Sequence, residues 1–305
     1  MSSPAPPAPR RVLGVGIATL DIVNEVAAYP EEDEEVRALA QHRGLGGNVA
    51  NSLDVLRQLG HRCAWCGTLA DDPDSREVVA GLRDRGIDTA CACRHPGART
   101  PTSYVTLSRQ TGSRTIVHHR DLRELEAADF RRARLEGLDW VHFEGRNPAE
   151  TAAMLRDCAA RRPDLPVSVE IEKPRPGVHA LLAGPRVVIL SRVFALAAGC
   201  QDPRAFLADQ WGRTSAELLF LPWGAEGAYA QSRDGGPVFA PAHAPEALRD
   251  TLGAGDVFNA AVIDGLLAGL TLSALLARAN RLAGHKCGQL GLQGVAASAR
   301  AAGLL

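Results

Sequence analysis

Long apolar runs, blocks of like charge and a disulfide pattern are all missing from this 305-residue chain. No apolar stretch approaches the ~20 residues that a membrane-spanning helix needs, so no such span is expected. The 34 Lys and Arg residues nearly balance the 35 Asp and Glu residues, and the two signs are interspersed. Without a basic block, neither nucleic acid nor a membrane surface is an expected partner. The seven cysteines (Cys63, Cys66, Cys91, Cys93, Cys158, Cys200 and Cys287) are odd in number and scattered, which argues against a secreted disulfide framework. Cys63 and Cys66 have the spacing of a redox or zinc pair. They sit in an apolar run with no second CxxC, so they read as small core residues and no metal-ligand set is expected. Residues 1–10, MSSPAPPAPR, lack the apolar stretch of a signal peptide and read as a disordered tail, with a cytoplasmic location expected. Internal repeats and low-complexity blocks are absent, and the length suits one large domain over residues 11–305.

What is present centres on Asp250 to Leu270, DTLGAGDVFNAAVIDGLLAGL. Gly253 and Gly255 make a tight turn that runs into apolar residues at helical spacing. A helix start of this kind presents unpaired N–H groups and the positive end of the helix dipole, a ready anion hole. Asp256 at that terminus is either an ordinary first-turn acid or a general base beside the hole. The second arrangement is what phosphoryl transfer to a hydroxyl requires. The turn is not a Walker A loop, because no Lys-Ser/Thr pair follows, and its glycines do not have the GxGxxG dinucleotide spacing.

Taken in order, Arg11 to Leu20 reads as a buried first strand ending near Asp21, a turn cap or a ligand contact at the sheet edge. Residues 22–46 are polar, with a strand-like alternation at Glu35 to Ala40. Gly46-Gly47 then opens a helix that Gly60 ends, with Asn48 and Asn51 in its first turn as caps or as partners for hydroxyl groups. A strand from His61 to Ala70, a helix from Asp74 to Arg85 and a turn at Gly86 to Thr89 follow. Residues 99–119 alternate again around QTGS, the pattern of a hairpin with Arg114 where it emerges. These strands, about residues 22–45 and 98–119, are expected to form a small β lid. From Leu138 a βα rhythm returns: strands end at Glu144, at Glu170 to Lys173 and at Ser191, and another runs into the turn Trp223 to Gly227. The fold class expected is α/β, a doubly wound and mostly parallel sheet flanked by helices. The final helix, from Leu272 to Gly288, carries a His285-Lys286 pair read as surface.

The TLGAGD turn followed by FNA resembles the C-terminal signature of the ribokinase-like (PfkB) carbohydrate kinases, and GGNVANS resembles their N-terminal one. That resemblance implies ATP and Mg²⁺ as cofactors, with Gly253, Ala254 and Gly255 as the anion hole and Asp256 as the base. VHFEGRN, VSVEIEKPR, GSRTIVHH, YPEEDEEVR and AGHKCGQLGLQG are further similar to the ketohexokinases, the branch that phosphorylates the 1-hydroxyl of fructose. Carried over, Asp21, Gly47, Asn48 and Asn51 hold the sugar, and Arg114 lies by the phosphates or the sugar. Glu144, Arg146, Glu170 and Lys173 line the space between sugar and nucleotide. Trp223, Gly224, Ala225, Glu226 and Gly227 would form the nucleotide loop, with Ala283, Cys287 and Gly288 small enough for an adenine. Asp33 matches an acid that one lid reaches into the partner's sugar site, which implies a homodimer through the lids. The Asn-x-x-Glu stretch that organises Mg²⁺ in many relatives is replaced by Ser191-Arg192-Val193-Phe194. A role for K⁺ is left open, as is another ketose, a sugar acid or a nucleoside as the acceptor.

Overall fold

A computed structural model describes residues 8–305; of the expected tail, residues 1–7 lie outside the described residues and residues 8–10 have no regular structure. The chain runs β1 (Arg11–Val15), β2 (Thr19–Val26), β3 (Ala40–Gly46), α1 (Asn48–Gln58), β4 (Arg62–Cys66) and β5 (Thr68–Ala70). Next come α2 (Pro73–Asp84), β6 (Ile87–Asp88), β7 (Cys93–His95) and the hairpin β8 (Thr102–Ser108) and β9 (Arg114–His119). The second half holds α3 (Ala127–Phe130), β10 (Trp140–Glu144), α4 (Pro148–Arg161), β11 (Val167–Ile171), β12 (Val187–Leu190), α5 (Arg192–Ala197) and α6 (Pro203–Gln210). It ends with β13 (Leu218–Pro222), β14 (Gly227–Ser232), β15 (Val238–Pro241), α7 (Ala254–Leu267), α8 (Leu272–Cys287) and α9 (Val295–Ala301).

Nine strands form one sheet in the order β15-β14-β13-β12-β11-β10-β1-β4-β6, parallel except at β14 and β15. Helices cover both faces, so β10, β11 and β12 are wholly buried, and they are apolar apart from His142, Glu144, Ser168 and Glu170. One face packs Val12, Trp65, Val187 and Phe220 against α1, α7, α8 and α9. The other packs Val15, Phe143, Val169 and Leu190 against α3, α4, α5 and α6. β1 lies between β4 and β10, so the chain leaves it in both directions across the sheet. In open α/β sheets a crevice for ligands opens at such a switch, beyond the carboxyl ends of the strands.

A separate four-stranded sheet, β3-β2-β8-β9, stands where the lid is expected. Several local expectations are corrected by it. The first strand stops at Val15, and Asp21 belongs to β2 of the small sheet, paired with Gly44 and Ser103. The strand-like run at residues 35–39 is an exposed loop, and β3 begins only at Ala40. Among the described residues the loop finds no sheet neighbour beyond one bond from Leu39 N–H to Glu25 O, and Asp33 within it turns through φ 66°. The expected strand from His61 to Ala70 breaks at Gly67, where a Cβ would lie 2.4 Å from Gly16 O. Beyond the break β5 pairs with β7, and the expected turn after Gly86 contains the short edge strand β6.

Candidate active site

The switch crevice holds a cavity of about 580 Å³ between the C-terminal strand ends, the small sheet and the start of α7. Asp21, Gly47, Asn48, Asn51, Arg114, Arg146, Glu170, Lys173, Gly253, Gly255 and Asp256 all border it, although they come from distant parts of the sequence.

The acid of β2 is set by the glycine pair. A Cβ on Gly46 would lie 2.0 Å from the Asp21 carboxylate, so only glycine leaves that oxygen its place. Gly47 caps α1 at φ 104°, and a Cβ there would meet Ile17 O at 2.5 Å. Thr19 donates to Asp21 at 2.8 Å; burial nevertheless raises the Asp21 pKa above the usual carboxylate range. One turn into α1, Asn51 Nδ2 donates to Asp256 Oδ2 at 2.8 Å. Asn48 Nδ2 reaches Glu170 at 3.3 Å and Glu172 at 3.2 Å. The spacing of three residues puts both amides on one face of the helix.

Gly253 adopts the left-handed conformation, φ 79°, and launches α7. Among the described residues, the N–H groups of Gly253, Gly255 and Asp256 have no protein acceptor, while that of Ala254 reaches Thr251 O at 3.3 Å. The head of α7 thus presents the N–H groups of Gly253, Gly255 and Asp256, while that of Ala254 turns back to Thr251. Asp256 is buried at 7% exposure. Burial first, and then the charge of Glu170, hold its carboxyl well above the ordinary range, against the hydrogen bond from Asn51. Glu170 is pushed up to about 7, chiefly by burial and then by the charges of Glu144 and Glu172. Arg114, on β9, donates to Thr251 Oγ1 at 2.7 Å and so ties the small sheet to the turn.

Not every expected residue converges. Glu144 stands behind the cavity: its Oε2 accepts Ile17 N–H at 3.0 Å, and it fixes the link from β1 to β2. Arg146 borders the cavity but is paired with Glu124 at 2.9 Å. Asp33 lies in the exposed loop and does not border its own chain's cavity. Trp223 is a core residue under the Arg192 guanidinium, 5.2 Å from the ring centroid. Gly224 to Glu226 are an exposed turn, and Gly227 lets β15 approach, since its Cβ would meet Ala240 O at 2.2 Å. None of these five borders the cavity, and neither do Ala283, Cys287 and Gly288. Gly284 in α8 and Gly288 just past its end lie against the loop that follows β15: a Cβ on Gly284 would meet His243 O at 1.9 Å, and one on Gly288 would meet Pro245 at 3.1 Å. The surface reading of His285-Lys286 is overturned. His285 bonds Ser298 at 2.9 Å, and Lys286 is wholly buried on Asp250 at 2.6 Å.

Sequence reasoning passed over Asn259, which is buried, borders the cavity and holds its amide close enough to the Glu170 carboxyl to oppose the rise in its pKa, though not within ideal hydrogen-bond geometry. It sits one helical turn after Asp256, and that spacing was the available signal. Arg175, with no ion pair among the described residues, and Arg192 add positive charge to the same wall. Cys63 and Cys66 face opposite cores, as an odd spacing on a strand dictates, and cannot act as a pair.

Comparison with known proteins decides the family. Residues 10–299 match the model of the pfkB family carbohydrate kinases. The chain belongs to that family. This pfkB kinase is 38% identical over 295 residues to a ketohexokinase of Mus musculus, covering 94% of the chain and 99% of the relative. It is 22% identical to a 5-dehydro-2-deoxygluconokinase of Bacillus velezensis, covering 87% and 84% of the two chains. A PfkB protein from Polaromonas sp. JS666 superimposes with a TM-score of 0.78 at 22% identity, covering 96% of this chain and 99% of that one. The fold is thus ribokinase-like, and the family implies ATP and Mg²⁺ as the phosphoryl donor system.

Proposed function

We propose that this pfkB kinase transfers the γ-phosphoryl of ATP to the 1-hydroxyl of a furanose ketohexose, D-fructose, giving fructose 1-phosphate and ADP. The observation that carries the reading is the Asn51–Asp256 bond of 2.8 Å, which joins a buried carboxyl at the head of α7 to the first turn of α1. Asp21, Asn48 and Asn51 offer the acceptors and donors that several hydroxyls require. Asp256 takes the proton of the attacking hydroxyl, and its raised pKa makes it a stronger base than an exposed carboxylate. The N–H groups at the head of α7 and the Arg114 guanidinium face the phosphoryl oxygens as charge builds on them.

The donor set suits Mg²⁺ bound with the nucleotide. Among the described residues no three His, Cys, Asp or Glu side chains are grouped to hold a metal. Glu170 and Glu172 nevertheless border the cavity, and Mg²⁺ commonly uses one or two carboxylates with water and phosphate. When bound, the ion neutralises phosphate charge. Full-length similarity to a ketohexokinase supports fructose over other acceptors. ADP release should be measured with fructose, tagatose, ribose, 2-keto-3-deoxygluconate and adenosine. The highest kcat/KM is expected for fructose, and a clear preference for the sugar acid or the nucleoside would replace the ketose assignment.

A further inference from the structure

The anion-hole turn has an underside that no step of the chemistry uses. Lys286, in the last turn of α8, is 0% exposed. Its Nζ donates to Asp250 Oδ2 at 2.6 Å and to Asp250 O at 2.7 Å. Asp250 Oδ1 also accepts Leu252 N–H at 2.8 Å, and Oδ2 accepts Gly291 N–H at 3.1 Å. Cys287 O receives the N–H groups of Arg249 and Asp250 at 2.8 and 3.2 Å. Leu292 lies against Gly253, 3.3 Å from where a Cβ would stand. The end of α8, the loop after it and the first residue of the turn are thus one hydrogen-bonded unit, three residues before the anion hole.

Stability is a weak explanation for such a pair, because burying two charges costs several kcal/mol per ion and an apolar pair often serves as well. What an apolar pair cannot do is aim the Asp250 carbonyl and the Leu252 N–H, and through them the path into Gly253. Arg114 bonds Thr251 from the small-sheet side, so the turn is held by a cation on each side.

We propose that Lys286 is a positioning residue for phosphoryl transfer, holding the Asp250–Gly253 turn, through Asp250, in the form that presents the N–H groups at the head of α7. This rests on the kinase reading above. The reading is tested first, with wild-type enzyme: absence of phosphorylation of every acceptor overturns it and this role with it. Given an active wild type, Lys286→Met is expected to lower kcat about 100-fold, the order of effect of misplacing a catalytic group by 1 Å, with sugar KM changed by less than about threefold. Lys286→Ala should regain part of the lost kcat when methylammonium or ethylammonium is added, since a small amine can enter the vacated space and bond Asp250. Asp250→Asn should add little further loss in the Lys286→Met background. Wild-type kcat in Lys286→Met, or a loss of activity in Lys286→Ala that neither amine reverses, overturns the proposal. The amine arm keeps the test decisive if Lys286→Met folds poorly.

Discussion

Asp256 is one of five acidic side chains that border the cavity or stand just behind it, and its environment separates it from the rest. Glu144 is held by Ile17 N–H, and Asn48 is shared between Glu170 and Glu172. Asp256 alone has both Asn51 at its carboxylate and the head of α7 at its backbone. Asp256→Asn is expected to retain the fold and most ligand binding and to lower kcat by about 10²- to 10⁴-fold, the usual worth of a positioned base. Single-turnover measurement with fructose and ATP checks this, and near-normal turnover would remove Asp256 from the role. The pH dependence carries a definite sign. Asp256 must be ionised to accept a proton, and its pKa is raised, so kcat/KM should fall with decreasing pH through a range above that of an exposed carboxylate. Asp256 and Glu170 titrate as an interacting pair. Glu170→Gln removes the neighbouring charge and should move the acid limb to lower pH. Stability should follow the same linkage. Glu170 binds its proton more tightly in the folded chain, where its pKa is about 7 against an ordinary 4.5. The resulting stabilisation is full below the ordinary value and is lost as pH rises through about 7, so Glu170→Gln should raise Tm more at pH 8 than at pH 5.

At the scale of elements, the junction between β3 and α1 shows how local sequence decides where a ligand group points. Gly46→Ala forces a methyl into the space of the Asp21 carboxylate, 2.0 Å away. Sugar KM is expected to rise at least about tenfold, with kcat at saturation less affected, because uniform binding is lost before the chemistry is touched. An unchanged KM would show that Asp21 does not contact the sugar. The glycine pair, the helix behind it and the GAGD turn were legible because each is a local pattern. The buried strands were legible too, since a strand covered on both faces leaves a continuous apolar run. β3 was not, because its run AQHRGLG holds a single large apolar residue and is exposed or half-exposed up to Gly46, and its partner β2 lies 14 residues upstream. Lys286 was misread for a related reason. Nothing within its own helix calls for a buried lysine; only Asp250, 36 residues earlier, does.

At the scale of the whole molecule, the placement of Asp33 bears on whether one chain completes its own site. The loop carrying Asp33 is exposed along its length, holds Tyr29, Val36 and Leu39 to solvent, and contributes nothing to the cavity of its own chain. An arm of that kind, leaving a sheet that borders a sugar pocket, suits delivery of an acid to a second subunit, and we propose a homodimer in which the small sheets meet and Asp33 is exchanged. Two inactive variants give the decisive comparison. Asp33→Ala spoils the arm and leaves the base; Asp256→Asn spoils the base and leaves the arm. In a mixed dimer the site with an intact Asp256 receives an intact Asp33 from its partner, while the other site has neither. Mixing the two variants under conditions that exchange subunits should therefore restore up to about a quarter of wild-type activity, since half of random dimers are mixed and each has one complete site. If Asp33 instead serves its own chain, every site in the mixture lacks one group and activity stays at the level of the separate variants. Sedimentation analysis of the same samples separates that outcome from a failure to dimerise.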